Sequence, residues 1–473
     1  MTVETIVADV CVIGAGAAGL SVAAGAAQFG ARTVLIEAGR MGGDCLNTGC
    51  VPSKALLAVA ARAQAVREAH RFGIAAGPPL IDFAAAMAHV DRAIAAIAPT
   101  DTADRFRALG VTVLAGLARF VGRTTLAVDD TWRVEAKYVV IATGAAPAIP
   151  RIPGLDAVPW MTSETIWANR TCPRHLVILG AGPIGIEMAQ AHRRLGAEVT
   201  VIDAGRALAR EDAELAAVLL ARLRGEGVTL HEGQAVVAAT RVGEGIALDL
   251  ADGRRVAGSH LLVAAGRRPS LAGLGLEAAG IAHGDGGVTV DDRLRTTNPR
   301  VFALGDVTGG LQFTHVAGHQ AGVVLRNMLF RLPARYRPER MPRVTYGDPE
   351  LAYVGLGEAE ARARHGTIRI LRSGFGENDR ARAEGDPDGL VKLIADRRGR
   401  LLGAGIVGPG AGDLLAPYVL AVERGMKLGA LAAGVLPYPT RSEAGKRAAG
   451  AFFLPMLFSE RAKRVVRFLL RWS

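Results

Sequence analysis

Two cysteines, Cys45 and Cys50, are the residues of this sequence whose type and spacing indicate chemistry most directly. In a regular helix this spacing would hold the two Cα atoms roughly 8–9 Å apart, which is beyond the reach of a disulfide. The pair can therefore close only across a turn, which Gly49 would allow. Pro52 suits the first turn of a helix, so Cys50 would lie at a helix N-terminus, where the dipole favours a thiolate. The pattern favours a redox pair.

A structural disulfide and half of a metal site are the alternatives for this pair. An expected cytosolic setting argues against the first, because thiols are kept reduced there. A zinc site needs further ligands, but Cys11 falls in an apolar strand and Cys172 lies far away in sequence. We therefore predict a redox role for Cys45 and Cys50, no resident metal site, and no chemical role for the other two cysteines.

Just upstream of the pair, a glycine-rich turn stands between a predicted strand and a predicted helix. Gly14, Gly16 and Gly19 would supply the tight turn, the close approach to a pyrophosphate and the packing of helix on strand. The N-terminus of the helix would face the phosphates. Glu37 ends the next strand 18 residues after Gly19, where a carboxylate can accept from a ribose hydroxyl. These features predict a dinucleotide site.

The same pattern returns further along the chain. Gly180, Gly182 and Gly185 follow a second strand and open a second helix. Asp203 ends the next strand, again 18 residues after the last glycine. The identical spacing predicts a second dinucleotide site, and a Rossmann-like fold with no second ligand is the alternative.

The order of predicted elements indicates an α/β chain with two Rossmann-like dinucleotide-binding domains. From about Met341 the strands and helices continue without a further glycine turn, which predicts a third, α+β domain. The Pro-rich segment 335–342 is the predicted linker. With 473 residues, 50% hydrophobic and 21% charged, the chain cannot be largely disordered.

Together these motifs make the chain similar to class I pyridine nucleotide-disulfide oxidoreductases, the family of glutathione reductase, dihydrolipoamide dehydrogenase and mercuric reductase. The resemblance covers nearly all of the chain. It is carried by the two glycine turns, the segment Cys45–Lys54, Ala142-Thr143-Gly144, Ala265-Gly266-Arg267-Arg268-Pro269, Gly305-Asp306 and Gly408-Pro409.

The resemblance implies a division into domains and two cofactors. The FAD-binding domain would comprise residues 1–148 and 268–338, the NAD(P)-binding domain 149–267, and the C-terminal dimerisation domain 340–473. The residues implied for FAD are Gly14, Gly16, Gly19, Glu37, Gly116, Thr143 and Asp306. Those implied for the nicotinamide cofactor are Gly180, Gly182, Gly185 and Asp203, and Lys54, Gly144 and Gly266 are further expected cofactor contacts. Asp203 favours NADH over NADPH, although Arg206 and Arg210 could accommodate a 2′-phosphate.

The resemblance also assigns roles around the cysteine pair. Cys50 would lie against the flavin as the charge-transfer thiol, and Cys45 would be the thiol that meets the acceptor. Lys54 would pair with Glu187 near the flavin, where a cation stabilises the negative charge of the reduced ring.

One position departs from the thiol-handling members of the family. They carry a His-Pro-x-x-x-Glu box whose histidine, supplied by the partner subunit, moves the proton between thiols. Here Tyr438 takes the histidine position, Glu443 keeps the acid, and no histidine follows His365. Tyrosine, with a pKa near 10, is a poor base at neutral pH. A metal ion needs no such proton, and mercuric reductase is similar in carrying tyrosine at this position.

We therefore expect a homodimeric enzyme that passes electrons from NADH through FAD and the Cys45–Cys50 pair to a metal ion or small acceptor, as mercuric reductase does. A dihydrolipoamide dehydrogenase-like disulfide reductase and a membrane-surface quinone reductase are the alternative enzymes. The alternative that is not an enzyme is a non-catalytic subunit that lacks flavin.

The net charge of +11 is carried mainly by arginines spread along the chain, so we predict no nucleic-acid partner. A local exception is the last segment, where Arg461, Arg464, Arg467 and Arg471 form one helical stripe and Val465, Leu469 and Trp472 form another. This segment predicts either an interfacial helix that contacts anionic lipid or a partner, or a final helix with a solvated arginine face. No segment resembles a signal peptide or a transmembrane helix, so a cytoplasmic location is expected.

Overall fold

The computed structural model describes residues 3–472, so Met1, Thr2 and Ser473, which end the predicted first and last domains, lie outside the described residues. The strands in chain order are β1 (Glu4–Ile13), β2 (Thr33–Glu37), β3 (Val111–Ala115), β4 (Ala118–Phe120), β5 (Thr125–Val128), β6 (Trp132–Ile141), β7 (Ala145–Pro147), β8 (Met161–Thr162), β9 (His175–Leu179), β10 (Glu198–Ile202), β11 (Thr229–His231), β12 (Val236–Val242), β13 (Gly245–Leu250), β14 (Arg255–Gly258), β15 (His260–Val263), β16 (Arg267–Pro269), β17 (His283–Gly284), β18 (Gly287–Val288), β19 (Val301–Ala303), β20 (Arg343–Thr345), β21 (Glu350–Gly355), β22 (Ile368–Gly374), β23 (Leu390–Asp396) and β24 (Leu401–Gly408).

The α-helices in chain order are α1 (Ala17–Gln28), α2 (Gly43–Asn47), α3 (Cys50–Glu68), α4 (Phe83–Ile97), α5 (Ala103–Ala108), α6 (Pro183–Arg194), α7 (Ala213–Gly225), α8 (Thr314–Met328), α9 (Glu358–His365), α10 (Asp379–Ala383), α11 (Ala411–Leu414), α12 (Ala416–Arg424), α13 (Leu428–Ala433), α14 (Ser442–Ala451), α15 (Leu454–Leu457) and α16 (Glu460–Leu469). The chain forms two compact units. The first contains the residues up to Arg206 together with Gly227–Pro338, and the second contains Ala207–Glu226 together with the residues from Glu339 onward.

The first unit contains the sheet whose strand β1 leads into the first predicted dinucleotide site. Its strands follow the order β3-β2-β1-β6-β5-β4, and β19 also pairs with β6. The pairings of β1, β2, β3, β6 and β19 are parallel, whereas β4, β5 and β6 pair antiparallel. Val10, Cys11 and Val12 in β1 have no exposed surface, because both faces of a central parallel strand are covered. The small side chains of α1 let it pack closely against α8 on one of these faces.

A second, fully parallel sheet in the same unit has the strand order β11-β10-β9-β15-β8. The helix α6 connects β9 to β10, so this part repeats the strand, turn, helix and strand of β1, α1 and β2. A separate antiparallel sheet, β12-β13-β14, lies between β11 and β15 in sequence. In a parallel sheet the residues that follow each strand meet at one edge, which brings the predicted glycine turns and acids together.

The second unit is built on an antiparallel sheet with the order β20-β21-β24-β23-β22. It also includes α7, which is distant in sequence, because the buried ammonium of Lys392 pairs with acids at the start of α7. Lys392 in β23 has a side chain that is 3% exposed, and its ammonium lies 2.8 Å from Asp212 and 3.0 Å from Glu214, at the start of α7. A buried charge needs such partners, so the segment 207–226 folds with the C-terminal residues. The boundaries of three separate domains stay a prediction.

No helix among residues 3–472 combines the length and the apolar character that crossing a membrane requires. The final helix, α16, has no buried residue within the second unit. The ten-residue helix contains most of both predicted stripes, whereas Arg471 and Trp472 lie beyond its last residue, Leu469.

Candidate redox site and cofactor cradles

The two cysteines lie on either side of a short turn. Cys45 belongs to α2, and Cys50 is the first residue of the 19-residue helix α3, with Gly49 as its N-cap. Both cysteines are free thiols in the structure. The backbone N–H groups of Thr48 and Gly49 both donate to the carbonyl of Asp44, at 2.8 and 2.6 Å, which fixes the turn between the cysteines. The predicted position of Cys50 at a helix N-terminus is confirmed.

The environment distinguishes the two thiols. The Cys45 thiol donates to the Cys50 sulfur, the Thr314 hydroxyl lies 3.3 Å from that sulfur, and the Lys54 cation is close. These contacts lower the pKa of Cys50 to about 6. The same contact with Cys50, together with burial, raises the pKa of Cys45. At neutral pH the pair therefore holds one proton on Cys45 and one negative charge on Cys50.

We expect Cys50 to react with iodoacetamide at a rate that rises as the pH increases through about 6, because only the thiolate is nucleophilic. An ordinary cysteine would show this rise near a pH of about 8.5. The measurement is the pH dependence of alkylation, resolved by residue with mass spectrometry. Cys172 serves as an internal control, since burial raises the pKa of its thiol. A midpoint for Cys50 at the ordinary value would contradict the geometry.

The predicted pair of Lys54 and Glu187 is present in the structure. Lys54 Nζ lies 2.9 Å from Glu187 Oε2, and the glutamate side chain is only 6% exposed. The two residues come from α3 and α6, which pack against each other within the first unit. Lys54 lies one helical turn after Cys50, so the carboxylate holds a cation close to the thiol that carries the negative charge.

The first glycine turn has the geometry that a dinucleotide requires. Gly14 has a φ of +99°, and a Cβ atom there would lie 2.4 Å from the carbonyl oxygen of Ala142. A Cβ on Gly19 would lie 1.8 Å from the carbonyl oxygen of Gly14, so only glycine fits either position. Around Gly16, by contrast, no atom comes closer to an added Cβ than 3.9 Å.

The acid that follows this turn is fixed by the backbone. The Glu37 carboxylate accepts from the N–H of Ala15, inside the turn, and from the N–H of Gly39 at 2.7 Å. The helix α1 has no side-chain cap and no acidic residue in its first turn. Its N-terminal N–H groups are therefore suited to an anionic ligand.

The second turn reproduces this arrangement. Gly180 has a φ of +111°, and a Cβ on Gly185 would lie 1.9 Å from the carbonyl oxygen of Gly180. A Cβ on Gly182 would meet nothing within 4 Å. The Asp203 carboxylate accepts from the N–H groups of Ala181 and Gly205, both at 2.7 Å. The N-terminus of α6 likewise has no side-chain cap and no acid in its first turn.

Both cradles therefore fit the cofactors that the motifs imply. In each, an open space lies beside the second glycine at an uncapped helix N-terminus, where a pyrophosphate would bind. In each, a carboxylate held by two backbone N–H groups stands at the end of the adjacent strand, where a ribose would bind.

The remaining predicted cofactor residues lie at the ends of neighbouring strands. The Thr143 hydroxyl donates to the carbonyl of Ser270 at 2.8 Å, and Cβ atoms on Gly144 and Gly266 would meet nothing within 4 Å. Asp306 is half-buried, and burial raises the pKa of its carboxyl. At Gly116 a local steric contact favours glycine, because a Cβ atom there would lie 2.4 Å from Asp129 Oδ2.

Two residues, Thr314 and Arg267, contact the site although neither was predicted to act there. Thr314, the first residue of α8, is in contact with Cys50 although the two are distant in sequence. Arg267 is 10% exposed, and its guanidinium lies 3.1 Å from Asp44 Oδ2 and 3.6 Å from Asp306 Oδ2. It thus joins the carboxylate beside Cys45 to the carboxylate expected at the flavin. The motif around Gly266 was the only sequence signal for Arg267, and none pointed to Thr314.

Tyr438 and Glu443 lie in the second unit. The Tyr438 side chain is exposed, and its hydroxyl donates to Asp379 Oδ2 at 3.1 Å. This hydrogen bond to a carboxylate raises the pKa of Tyr438 above its ordinary value. Glu443 accepts from the N–H of Thr440 at 3.3 Å, at the start of α14. Tyr438 is thus held in its protonated form at neutral pH.

Comparison with known proteins agrees with this geometry. Residues 8–321 match the family model described as pyridine nucleotide-disulphide oxidoreductase, and residues 341–449 match the dimerisation domain of that family. The chain is 40% identical over 457 residues to a mercuric reductase of Streptomyces lividans, a match that covers 94% of this chain and 96% of that protein. It is 37% identical over 457 residues to dihydrolipoyl dehydrogenase 3 of Pseudomonas aeruginosa, covering 93% and 97%.

A solved structure is also similar, that of the Cu(II) complex of the HOCl-induced flavoprotein disulfide reductase RclA from Escherichia coli. It superposes with a TM-score of 0.82 at 28% sequence identity and covers 92% of this chain and 98% of that chain. The chain belongs to the pyridine nucleotide-disulphide oxidoreductase family.

Membership confirms the predicted fold class and the predicted class of enzyme. The protein is an FAD-dependent oxidoreductase that uses a pyridine nucleotide and a redox-active cysteine pair. Its dimerisation domain supports a homodimer, and its acceptor is of the general disulfide or metal kind.

Proposed function

We propose that this protein oxidises NADH and reduces a thiophilic metal ion, with Hg(II) and Cu(II) as candidate acceptors, at the Cys45–Cys50 pair. The two glycine-turn cradles would hold FAD and the nicotinamide cofactor, and bound FAD would supply the two-electron carrier between the nicotinamide and the cysteine pair. The proposal places the enzyme in the cytoplasm, where reducing conditions keep exposed thiols reduced. The similar mercuric reductase and the Cu(II) complex of RclA support an acceptor of this kind.

The observation that carries the proposal is the hydrogen bond from Tyr438 to Asp379. A disulfide acceptor must receive a proton on its leaving thiolate, and a group with a pKa near 7 does this best. Tyr438 stands at the position of that group, yet its pKa is raised further from neutrality. A metal ion takes up electrons without needing this proton, so the substitution does not impede its reduction.

The chain's own residues account for the rest of the reaction. Cys50 holds the negative charge, and Cys45 keeps the proton until a metal ion displaces it. Two thiolates form a soft ligand pair suited to Hg(II) or Cu(II) ions. Reduction of Hg(II) to the element consumes two electrons, and reduction of Cu(II) to Cu(I) consumes one, so one NADH reduces one Hg(II) or two Cu(II). Lys54, held by Glu187, places a cation beside the charged thiol.

A screen of acceptors tests the proposal. NADH oxidation by the flavin-loaded enzyme is followed with Hg(II), Cu(II), lipoamide, glutathione disulfide and a soluble quinone. We expect the metal ions to support turnover at least about a hundredfold faster than either disulfide, the size of a missing general acid. Equal or faster turnover with lipoamide would instead support the dihydrolipoamide dehydrogenase-like alternative, which the 37% identical relative keeps open.

The expected preference for NADH over NADPH depends on Asp203. Its carboxylate is fixed by two backbone N–H groups at the end of β10, where it would repel a 2′-phosphate. We expect Asp203→Ala to reduce the ratio of kcat/KM for NADH over NADPH by about 10–100-fold, since like charges in contact cost several kcal/mol. The matched change Glu37→Ala, in the other cradle, should lower flavin content and leave this ratio unchanged. An unchanged ratio in Asp203→Ala would contradict the preference.

A membrane-surface quinone reductase is the second candidate, and the exposed final helix favours it. Quinone reduction that survives Cys45→Ser and is lost when residues after 452 are deleted would identify this activity. Metal-ion reduction that depends on Cys45 and not on the final helix would reject it.

A further inference from the structure

We propose that α16 is an interfacial helix that binds the surface of an anionic lipid bilayer. Five side chains on residues 460–472 are basic and one is acidic, so the segment carries a net charge of 5 − 1 = +4. The basic residues are Arg461, Lys463, Arg464, Arg467 and Arg471. Such a charge is complementary to a negative surface.

The apolar residues of the segment 460–472 are concentrated on one side of the helix, and Arg461 projects at the edge of that side, beside Val465 and Phe468. Val465, Phe468, Leu469 and Trp472 recur at steps of three and four residues and are 52%, 59%, 60% and 80% exposed. Nothing among residues 3–472 therefore covers this apolar face. With ten residues, α16 is about 15 Å long and too short to cross a bilayer, so it would lie in the plane of the interface.

The side chains of Arg461, Arg464, Val465 and Phe468 line a shallow, open depression on the surface of the helix. Two guanidinium groups beside two apolar side chains match the chemistry of a lipid, whose phosphate and acyl chain are adjacent. An acidic protein surface would match the charge without matching the exposed Phe468 and Trp472.

A second copy of this chain is a poorer occupant for this face. A twofold contact brings a surface against its own copy, so two segments of charge +4 would face each other. The match to the family's dimerisation domain also ends at residue 449, before α16 begins.

Co-sedimentation of the full-length, flavin-loaded enzyme with vesicles tests this proposal. We expect binding to vesicles of phosphatidylglycerol and phosphatidylcholine to exceed binding to phosphatidylcholine alone by about tenfold or more, and to weaken as salt is added. Phe468→Ser and the double variant Arg464→Glu with Arg471→Glu should each lose most of this binding. The matched double variant Arg397→Glu with Arg398→Glu makes the same change in net charge on an exposed turn of the same unit and should bind normally.

NADH oxidation and the mass in solution are measured on the same samples. All variants should keep wild-type turnover and a dimeric mass, which shows that they are folded. The proposal would be overturned if the wild-type protein did not co-sediment with anionic vesicles. It would also be overturned if the α16 variants became monomeric, since the face would then belong to a second copy, or if the Arg397 and Arg398 variant lost binding equally, since net charge alone would then suffice.

Discussion

Replacing Cys45 with serine is expected to lower metal-dependent NADH oxidation by about a thousandfold or more, the scale of losing a reacting group. The flavin would still be reduced by NADH, because the serine change leaves both cradles intact. The Cys50 thiolate would also persist, since a serine hydroxyl can donate to its sulfur as the Cys45 thiol does. The two measurements are the steady-state rate and the long-wavelength charge-transfer absorbance. Wild-type enzyme should show this absorbance after two-electron reduction, whereas Cys45→Ser, which cannot form the disulfide, should show it while its flavin is still oxidised.

Cys50→Ser is the matched control for this variant. It should lose both turnover and the charge-transfer absorbance, because the residue whose pKa is lowered to about 6 is gone. Full metal-dependent turnover in Cys45→Ser would show that the acceptor receives its electrons elsewhere. A charge-transfer band that survives Cys50→Ser would show that the two thiols have been assigned in the wrong order.

Changing Tyr438 to histidine is expected to raise lipoamide reduction by about 10²–10⁴-fold, the usual contribution of a positioned general acid or base. The imidazole would stand where the family resemblance places the proton-transferring group of the partner subunit. Asp379, which now accepts from the tyrosine hydroxyl, is available to orient it. Reduction of Hg(II) or Cu(II) should change by only a few-fold, since no leaving thiolate needs a proton. Rates with both kinds of acceptor, measured on the same preparation, check this expectation.

Tyr438→Phe separates the hydroxyl from the ring. It should gain no disulfide reductase activity, because it adds no titratable group. If wild-type enzyme already reduces lipoamide efficiently and Tyr438→His brings no gain, Tyr438 does not limit proton transfer. The dihydrolipoamide dehydrogenase-like reaction would then be the better account.

Local patterns in the sequence were sufficient for the cradles and for the start of α3. The two glycine turns and their acids are local patterns, and steric contact leaves no alternative to glycine at Gly14, Gly19, Gly180 or Gly185. The turn between the cysteines likewise depends on nearby residues. The exact start of a helix did not follow from the pattern: α6 begins at Pro183, so Gly185, the last glycine of the turn, already lies within the helix.

Contacts between distant segments could not be derived from spacing. The pair of Lys54 and Glu187 came from family resemblance, because nothing local links residues 133 positions apart. The proximity of Thr314 to Cys50 and the bridge from Arg267 to Asp44 depend on how the strands are ordered in the sheet. The grouping of 207–226 with the C-terminal residues depends on the partners of Lys392, which only the folded chain brings together.

The most direct test of the central claim is to count the elemental mercury released for each NADH oxidised when Hg(II) is the acceptor. The experiment is done without oxygen, because oxygen would otherwise accept electrons from the flavin. We predict one mercury atom for each NADH with wild-type enzyme and none with Cys45→Ser. NADH oxidation without release of mercury, or release that is unchanged in Cys45→Ser, would contradict transfer of electrons to a metal ion at this cysteine pair.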